Sequence, residues 1–379
     1  MELHRSKEIT KRAFLFIDDE ERVGELPTNF LNFLSTAPKN RALSTLSLYA
    51  TRLRDFCDFL ETHPVYGKVQ IDDAIHAIGL PIIDEFYRAL IALGLKPSTV
   101  RGYEVVIKMF TDWLTTEDAD RAHSRPVYGN VAYRTATPNK RIPRYLIPAE
   151  VVQLSLGMRW EYQRMVTHFI YDTGARVSEV PRVLKSDLPR VEDYPADQAY
   201  FPLLIRGSKG RGGQIKERYT IISRPVLMRL NRYFKSKTYF KSHSWTEELK
   251  PAFLNVYGAK LTGKAIQNFI DIAAKRACMA GRAGTHRLRH GTAYSIMRSD
   301  HGKTLLDNLV VLQRTLGHSN ITTTEIYTHI PAPVLLGIKT TSGSSDLQSR
   351  IKEAEIIFDK TYLPEIKQPK IWRIGKPRI

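Results

Sequence analysis

Apolar side chains recur every three or four positions in two long stretches of the first 116 residues, a spacing that places them on one face of a helix. One stretch follows Ser44-Thr45, which can cap a helix, and the other follows Lys96-Pro97. Shorter segments at 29–34 and 82–93 repeat the pattern. We therefore predict an all-α module of four helices over residues 27–116, with the apolar stripes as its core.

The segments on either side of this module lack sustained apolar spacing. Residues 1–26 are charged and mixed in sign, and we expect a loosely docked arm there. Residues 117–145 place prolines and glycine among polar and basic residues, which is typical of an interdomain linker.

A second, α+β domain is predicted over residues 146–335. Two β-forming runs at 200–205 and 218–222 flank a glycine-rich stretch, 207–213, and this pattern predicts a hairpin. The remaining segment, 336–379, reads as a tail with one helix at 346–360 and a basic end. The expected fold is mostly α with a small β-hairpin.

Charge is distributed unevenly along the chain. Its 379 residues include 57 Lys and Arg against 39 Asp and Glu, a formal net charge of +18. Residues 1–120 carry 14 basic and 19 acidic side chains, so the excess lies in the remainder. Such a field attracts a polyanion because binding releases condensed counterions. Solubility charge or attraction to acidic membranes is the alternative explanation.

Cysteine content and hydropathy exclude several classes of protein. Two cysteines, Cys57 and Cys278, cannot form a disulfide framework or a four-cysteine metal site, so we expect a reducing compartment. The apolar run at 13–17 is too short for a signal-peptide core, and no stretch is long enough to span a membrane.

Two separated segments carry residues suited to binding a phosphate. Arg176 follows a glycine that ends a predicted helix, and its planar fork of donors matches two phosphate oxygens. A salt bridge to Glu179 is the alternative use of that arginine. His286 and Arg289 stand three residues apart on a predicted helix and so share a face.

Two further segments carry a candidate nucleophile and a candidate acid. Tyr327 stands nine residues after His318, and its phenolate would need cations and a base to act as a nucleophile. A half-buried core tyrosine is the alternative. Lys209, in the hairpin loop, could protonate a leaving oxygen or be a solvated lysine. The loop lacks the Gly-Lys-Ser/Thr of a nucleotide-binding P-loop.

Taken in order, these segments resemble the tyrosine recombinases, the phage-integrase type of site-specific DNA recombinase. The resemblance covers roughly residues 27–335 and is most specific at 316–329, which matches the family signature in content and spacing. It implies a helical, SAM-like core-binding domain, a linker and a catalytic domain. The six family positions are occupied by Arg176, Lys209, His286, Arg289, His318 and Tyr327.

The resemblance implies transesterification through a 3′-phosphotyrosyl intermediate formed by Tyr327, with a free 5′-hydroxyl. Arg176 and Arg289 would clamp the scissile phosphate, and His318 would bond a non-bridging oxygen. The general acid would be Lys209, with Lys216 as the alternative in the same long loop.

The remaining roles also come from the resemblance. His286 would act as base or orienting acceptor for the tyrosine, and Glu179 would support the pocket. Thr285 stands where relatives often have proline before His-x-x-Arg. Neither ATP nor a catalytic metal is implied, so no cofactor is expected.

The expected partner is double-stranded DNA, bound by a homotetramer as one dimer on each of two duplexes that exchange strands through a Holliday junction. The cytoplasm is the expected location, and accessory or directionality factors remain open. Integration, excision or transposition of a mobile element is the favoured role. The alternatives are a catalytically silent DNA-binding protein, a type IB topoisomerase or a telomere resolvase. Eight basic residues are predicted to contact DNA: Arg52, Arg54, Arg101, Lys108, Arg141, Arg211, Lys216 and Arg218.

Overall fold

The computed structural model describes most of the chain and divides it into two compact units, one ending at residue 137 and the other beginning at residue 143. The described residues are 1–5, 14–36, 41–137, 143–209, 215–240, 245–281, 283–299, 305–317 and 350–369. Both units are dominated by helices, and each contains one antiparallel pair of strands. The predicted mostly-α fold is confirmed.

The first unit is a helical bundle with an N-terminal hairpin. Its elements are β1 (Glu2–Arg5), β2 (Phe14–Ile17), α1 (Glu25–Ser35), α2 (Leu43–Thr62), α3 (Ile71–Ala77), α4 (Leu80–Ala92) and α5 (Pro97–Trp113). Aromatic packing joins α1 to α5, where the ring of Phe30 lies 5.2 Å from that of Phe110 and 5.6 Å from that of Trp113. The four predicted helices are present, and α3 is additional because its seven residues are too few to show a periodic stripe.

The N-terminal segment packs on this bundle and is not the loosely docked arm expected from its charges. β1 and β2 pair in register from Glu2 opposite Ile17 to Arg5 opposite Phe14. Phe16 is fully buried, and the terminal ammonium of Met1 lies 2.8 Å from Asp58. Apolar residues on one face of β2 outweigh the charges around them.

The predicted linker is also corrected over residues 117–137, which pack on the first unit. Tyr128 is buried and shares a 2.5 Å hydrogen bond between its hydroxyl and that of Tyr87. The fully buried carboxylate of Glu104 accepts from the backbone N–H groups of Arg134 and Thr135. One buried carboxylate therefore holds this segment on the first unit, although the sequence of the segment shows no regular spacing of apolar residues.

The second unit surrounds the β-hairpin with helices. Its elements are α6 (Pro148–Leu156), α7 (Glu161–Thr173), β3 (Tyr200–Lys209), β4 (Ile215–Ser223), α8 (Arg224–Phe234), α9 (Lys237–Phe240), α10 (Gly263–Arg276), α11 (Thr285–Met297), α12 (Leu305–Leu316) and α13 (Arg350–Thr361). The hairpin predicted from the sequence is present, with strands longer than the two apolar runs. In the described part of the chain, no helix has the length and apolarity needed to cross a membrane.

The last helix, α13, docks on the second unit through buried charges. Arg229 is fully buried, pairs with Glu161 at 2.6 Å and donates to the hydroxyl of Thr361 at 2.8 Å. At the other end, Arg350 donates to the carbonyl of Asp172 at 2.6 Å. The helix predicted at 346–360 is therefore observed from residue 350, and residues 346–349 lie outside the described ranges.

Candidate active site

The turn that follows α7 supplies the first arginine. The helix ends at Gly174, whose φ of +64° is in the left-handed region that glycine adopts readily. A Cβ at this position would lie 2.7 Å from Cδ2 of Leu316 and 3.3 Å from Cγ2 of Thr292, so α11 and α12 pack directly on the glycine. Arg176 lies in the turn that follows and not in a helix, and the next element is the short 3-10 helix Val180–Arg182.

Glu179 anchors that turn. Its buried carboxylate accepts through Oε1 from Nη1 of Arg176 at 2.8 Å, and through Oε2 from the Arg176 backbone N–H at 2.8 Å. Nη2 of Arg218 donates to the same Oε2 at 2.9 Å. Burial alone would raise the pKa of Glu179, but Arg218 and Arg176 outweigh it and the pKa is lowered. The carboxylate is therefore ionised at neutral pH and fixes Arg176, whose side chain stays 26% exposed.

Arg289 joins the end of α7 to the end of α12. It projects from α11 and is buried. Its Nη1 donates to the carbonyl of Gly174, and its Nη2 donates to the carbonyl of Leu316 at 2.5 Å. These carbonyls lie at helix ends, where no intrahelical donor satisfies them, and they carry the negative end of the helix dipole. The guanidinium is held by the carbonyls of residues that stand, in the sequence, two positions before Arg176 and two positions before His318.

The two histidines of α11 differ in depth from Arg289. His286 is exposed in the first turn, and its ring centroid lies 6.3 Å from that of the half-buried His290. Burial, followed by the charges of His286 and Arg289, lowers the pKa of His290 to about 4. His290 is therefore neutral at pH 7, while His286 keeps access to solvent.

α12 ends at a glycine. Gly317 has a φ of +62°, and a Cβ there would lie 2.3 Å from Cδ of Arg218, so no larger residue fits without movement. His318 is the next residue in the chain. Both His318 and Tyr327 lie outside the described residues, and their predicted roles stay predictions.

The hairpin carries both candidate acids. Lys209 is the last residue of β3 and pairs with Ile215, while Lys216 pairs with Ser208 on the neighbouring rung. A bulge between Ile205 and Ser208 interrupts the register, and Arg182 donates to the carbonyl of Gly207 within it at 3.0 Å. The choice between Lys209 and Lys216 as the acid stays open.

Comparison with known proteins agrees with this arrangement. Residues 150–332 match the model of the phage integrase family. The curated protein named tyrosine recombinase XerC of Halalkalibacterium halodurans is 25% identical over 300 residues, which cover 77% of this chain and 88% of that protein. Residues 150–332 therefore form a domain of the phage integrase family, the family of the tyrosine recombinases.

Solved structures of recombinases share the fold at low sequence identity. XerH bound to palindromic difH substrate, in a post-cleavage complex, has a TM-score of 0.60 at 18% identity and covers 82% of this chain and 83% of its own. The Tn1549 transposon integrase in complex with circular intermediate DNA has a TM-score of 0.58 at 16% identity, covering 83% and 98%. Members of the family cut and rejoin DNA, and this tyrosine recombinase is accordingly an enzyme of site-specific recombination.

The basic residues of the first unit that were predicted to contact DNA each have an intramolecular partner. Arg52 donates to the carbonyl of Gly102. Arg54, Arg101 and Lys108 form ion pairs, with Asp55, Glu104 and Asp112 respectively. The pairs of Arg54 and Lys108 are partly exposed and weak enough to exchange for a phosphate, whereas Arg101 is held by the buried carboxylate of Glu104. Contact of these residues with DNA stays a prediction. Arg141 and Arg211 lie outside the described residues, as does the side chain of Lys216.

Arg218 differs from the other predicted DNA contacts. It is buried against Glu179 and the end of α12, which leaves its side chain little access to a DNA backbone. The alternation of buried and exposed side chains along β4 is the signal that would have indicated a buried Arg218. Arg218, Thr220 and Ile222 are buried, while Tyr219 is 69% exposed, as expected of one inward and one outward face.

Proposed function

We propose that Tyr327 cleaves DNA by attacking the scissile phosphate and that Arg176 and Arg289 hold that phosphate. The convergence of the two arginines supports this proposal most directly. Each is tied to the turn at Gly174, one through Glu179 and the other through the Gly174 carbonyl. Two cations fixed before the substrate arrives can stabilise charge on the equatorial oxygens without reorganisation at the moment of reaction.

The proposed step conserves the phosphodiester energy. Tyrosine Oη forms a bond to phosphorus, and the bond from phosphorus to the 5′ oxygen breaks. The tyrosine proton passes to His286 or to water that it orients, and Lys209 or Lys216 gives a proton to the leaving 5′ oxygen. His318 donates to a non-bridging oxygen. Attack by a 5′-hydroxyl from the partner duplex reverses the step and joins the strands.

The test is formation of a protein–DNA adduct that resists SDS, in EDTA, on a nicked duplex. The duplex is taken from the DNA flanking the protein's own gene and is selected by tight, salt-sensitive binding. We expect an adduct with the unaltered protein and with Tyr257→Phe, a control at a tyrosine that is 73% exposed. Tyr327→Phe should form none. Tight binding without any adduct would favour a catalytically silent DNA-binding protein.

We also propose that the enzyme works as a homotetramer in the cytoplasm, with two protomers on each duplex. This assembly supplies four active sites for two sequential strand exchanges. Multi-angle light scattering of the protein with two site-bearing duplexes should give four chains per pair of duplexes. Two chains and one duplex as the limiting complex would contradict the proposal.

For the biological role, we propose integration or excision of a mobile element. The long hairpin loop and the basic tail favour this role, and a transposon integrase is among the proteins of the same fold. Recombination between the two flanks of the element that carries the gene would support it. Activity on a host chromosomal site but not on those flanks would contradict it.

A further inference from the structure

Arg218 occupies an unusual position between two parts of the site. Its side chain is 6% exposed and extends from β4. Nη2 donates to Oε2 of Glu179 at 2.9 Å, and Nη1 donates to the carbonyl of Thr315. One guanidinium therefore binds the carboxylate that fixes Arg176 and also the last turn of α12.

The aliphatic part of the same side chain packs against the residue at which α12 ends. The backbone of Gly317 packs on Cδ of Arg218 so closely that a Cβ has no room. Arg289 takes the neighbouring carbonyl, that of Leu316, at 2.5 Å. Two arginines from different elements thus bind the successive carbonyls of Thr315 and Leu316 at the end of α12, and His318 follows Leu316 by two positions in the sequence.

Charge balance shows why this position needs an arginine. Glu179 is fully buried, and a buried carboxylate with one partially exposed partner would be poorly compensated. Among the described residues, the charged groups that contact it are Arg176 from its own turn and Arg218 from β4, while Arg289 from α11 binds the nearby Gly174 carbonyl. Arg218 is the buried member that contacts the carboxylate directly, and its fork spans carboxylate and carbonyl together.

We propose that Arg218 is a positioning residue for DNA cleavage, which holds Arg176, through Glu179, at a fixed distance from the end of α12. This inference rests on the proposed function, because it assumes that Arg176 and His318 act on one phosphate. Arg218 itself stays behind the site and does not touch the DNA.

The substitution Arg218→Met removes the charge and keeps most of the aliphatic packing against Gly317. Displacing reacting groups by about 1 Å can cost about 100-fold in rate, and we expect a loss of that order in the single-turnover cleavage constant. The DNA concentration that gives half the maximal rate should change by less than about threefold, since ground-state binding is untouched.

The pH dependence of cleavage gives a readout that a purely structural role would not move. Removing Arg218 leaves burial to dominate at Glu179, so its pKa rises and the acid limb of the rate profile moves to higher pH. Arg218→Lys keeps the charge but not the fork. It should return the acid limb and restore part of the rate.

Arg229→Met is the matched control. Arg229 is also fully buried and paired with a buried glutamate, but it projects from α8 towards α13, and the hydrogen bonds of its guanidinium in the described residues are with Glu161, His168 and Thr361, away from the site. Thermal unfolding identifies a temperature at which all variants are folded, and cleavage is compared there. Arg229→Met should lose stability and keep the cleavage constant.

The outcomes separate the inference from the proposed function. If the unaltered protein forms no adduct on DNA that it binds, the proposed cleavage itself is overturned. If it does form one, the positioning role is overturned when folded Arg218→Met cleaves within about threefold of the unaltered rate and its acid limb does not move. Should Arg218→Met fail to fold, the rate of Arg218→Lys decides, and cleavage within about threefold of the unaltered rate overturns the role.

Discussion

The close approach of Gly174 to α11 and α12 predicts a measurable cost for a single added methyl group. In Gly174→Ala, the left-handed backbone alone costs about 1–2 kcal/mol, because an L side chain crowds the following carbonyl. The new Cβ would also lie 2.7 Å from Cδ2 of Leu316, a fully buried residue whose side chain has little room to move. Overpacking of this kind adds about 1–3 kcal/mol.

A second glycine in the same unit separates the two terms. Gly281 has a φ of +82°, and a Cβ there meets nothing within 4 Å among the described atoms. Gly281→Ala should therefore show the conformational cost without the contact. The difference between the two variants, about 1–3 kcal/mol, measures the packing of Gly174 on α12.

Hydrogen exchange of peptides from α11 and α12 is the appropriate measurement, because it reports the free energy of opening in this part of the second unit. The same displacement moves the carbonyls that bind Arg289, so cleavage by Gly174→Ala should fall while Gly281→Ala cleaves normally. Equal destabilisation by the two substitutions would refute the argument that the glycine is required for close approach.

Three further predictions concern the acid, a histidine and the last helix. If Lys209 is the general acid, the slow cleavage of Lys209→Ala should recover on a substrate whose 5′ leaving atom is sulfur, because sulfur departs without a proton. Lys216→Ala should show no such recovery. The reverse result would assign the role to Lys216. The pKa of His290 is about 4 in the folded protein, whereas its ordinary value is 6.5. Between these two pH values the unfolded chain binds a proton that the folded chain does not, so stability falls as the pH drops from about 6.5 towards 4. His290→Gln should flatten that slope in urea unfolding at pH 7 and pH 5, and an unchanged slope would contradict the assignment. Glu353, buried on α13, accepts a hydrogen bond from the hydroxyl of Ser295 at 2.5 Å. Glu353→Gln should lower the free energy of opening of α13, measured by hydrogen exchange, by about 1–3 kcal/mol. Unaltered protection of α13 would show that the charge does not hold the helix.

Local signals in the sequence predicted the elements that carry the site. The glycines at 174 and 317 mark helix ends because the left-handed conformation is a property of the residue itself. The β-forming runs on either side of the glycine-rich stretch gave the hairpin for a similar reason. His-x-x-Arg lies in the first turns of α11, and a helix of 13 residues has enough length to show its period.

Signals that depend on distant residues were missed or misassigned. The charged N-terminal segment is a docked hairpin because Phe14 and Phe16 are buried in the hydrophobic core of the first unit, beside α1. The stretch read as a linker is held by Glu104, more than 25 residues away in sequence. Neither partner is visible from composition, because the free energy comes from a buried surface and a buried charge that exist only in the folded unit.

The sequence by itself determined the order of the chemical groups, the helices and hairpin that present them, and the family to which they belong. These depend on local backbone preference and on residue spacing, which each segment carries with it. Only the tertiary structure decided that Glu179 binds two arginines, that Arg289 bridges two helix ends and that Arg218 lies behind the site. An arginine has the same charge on a surface and in a buried pair, and its role follows from the acceptors that other segments bring to it.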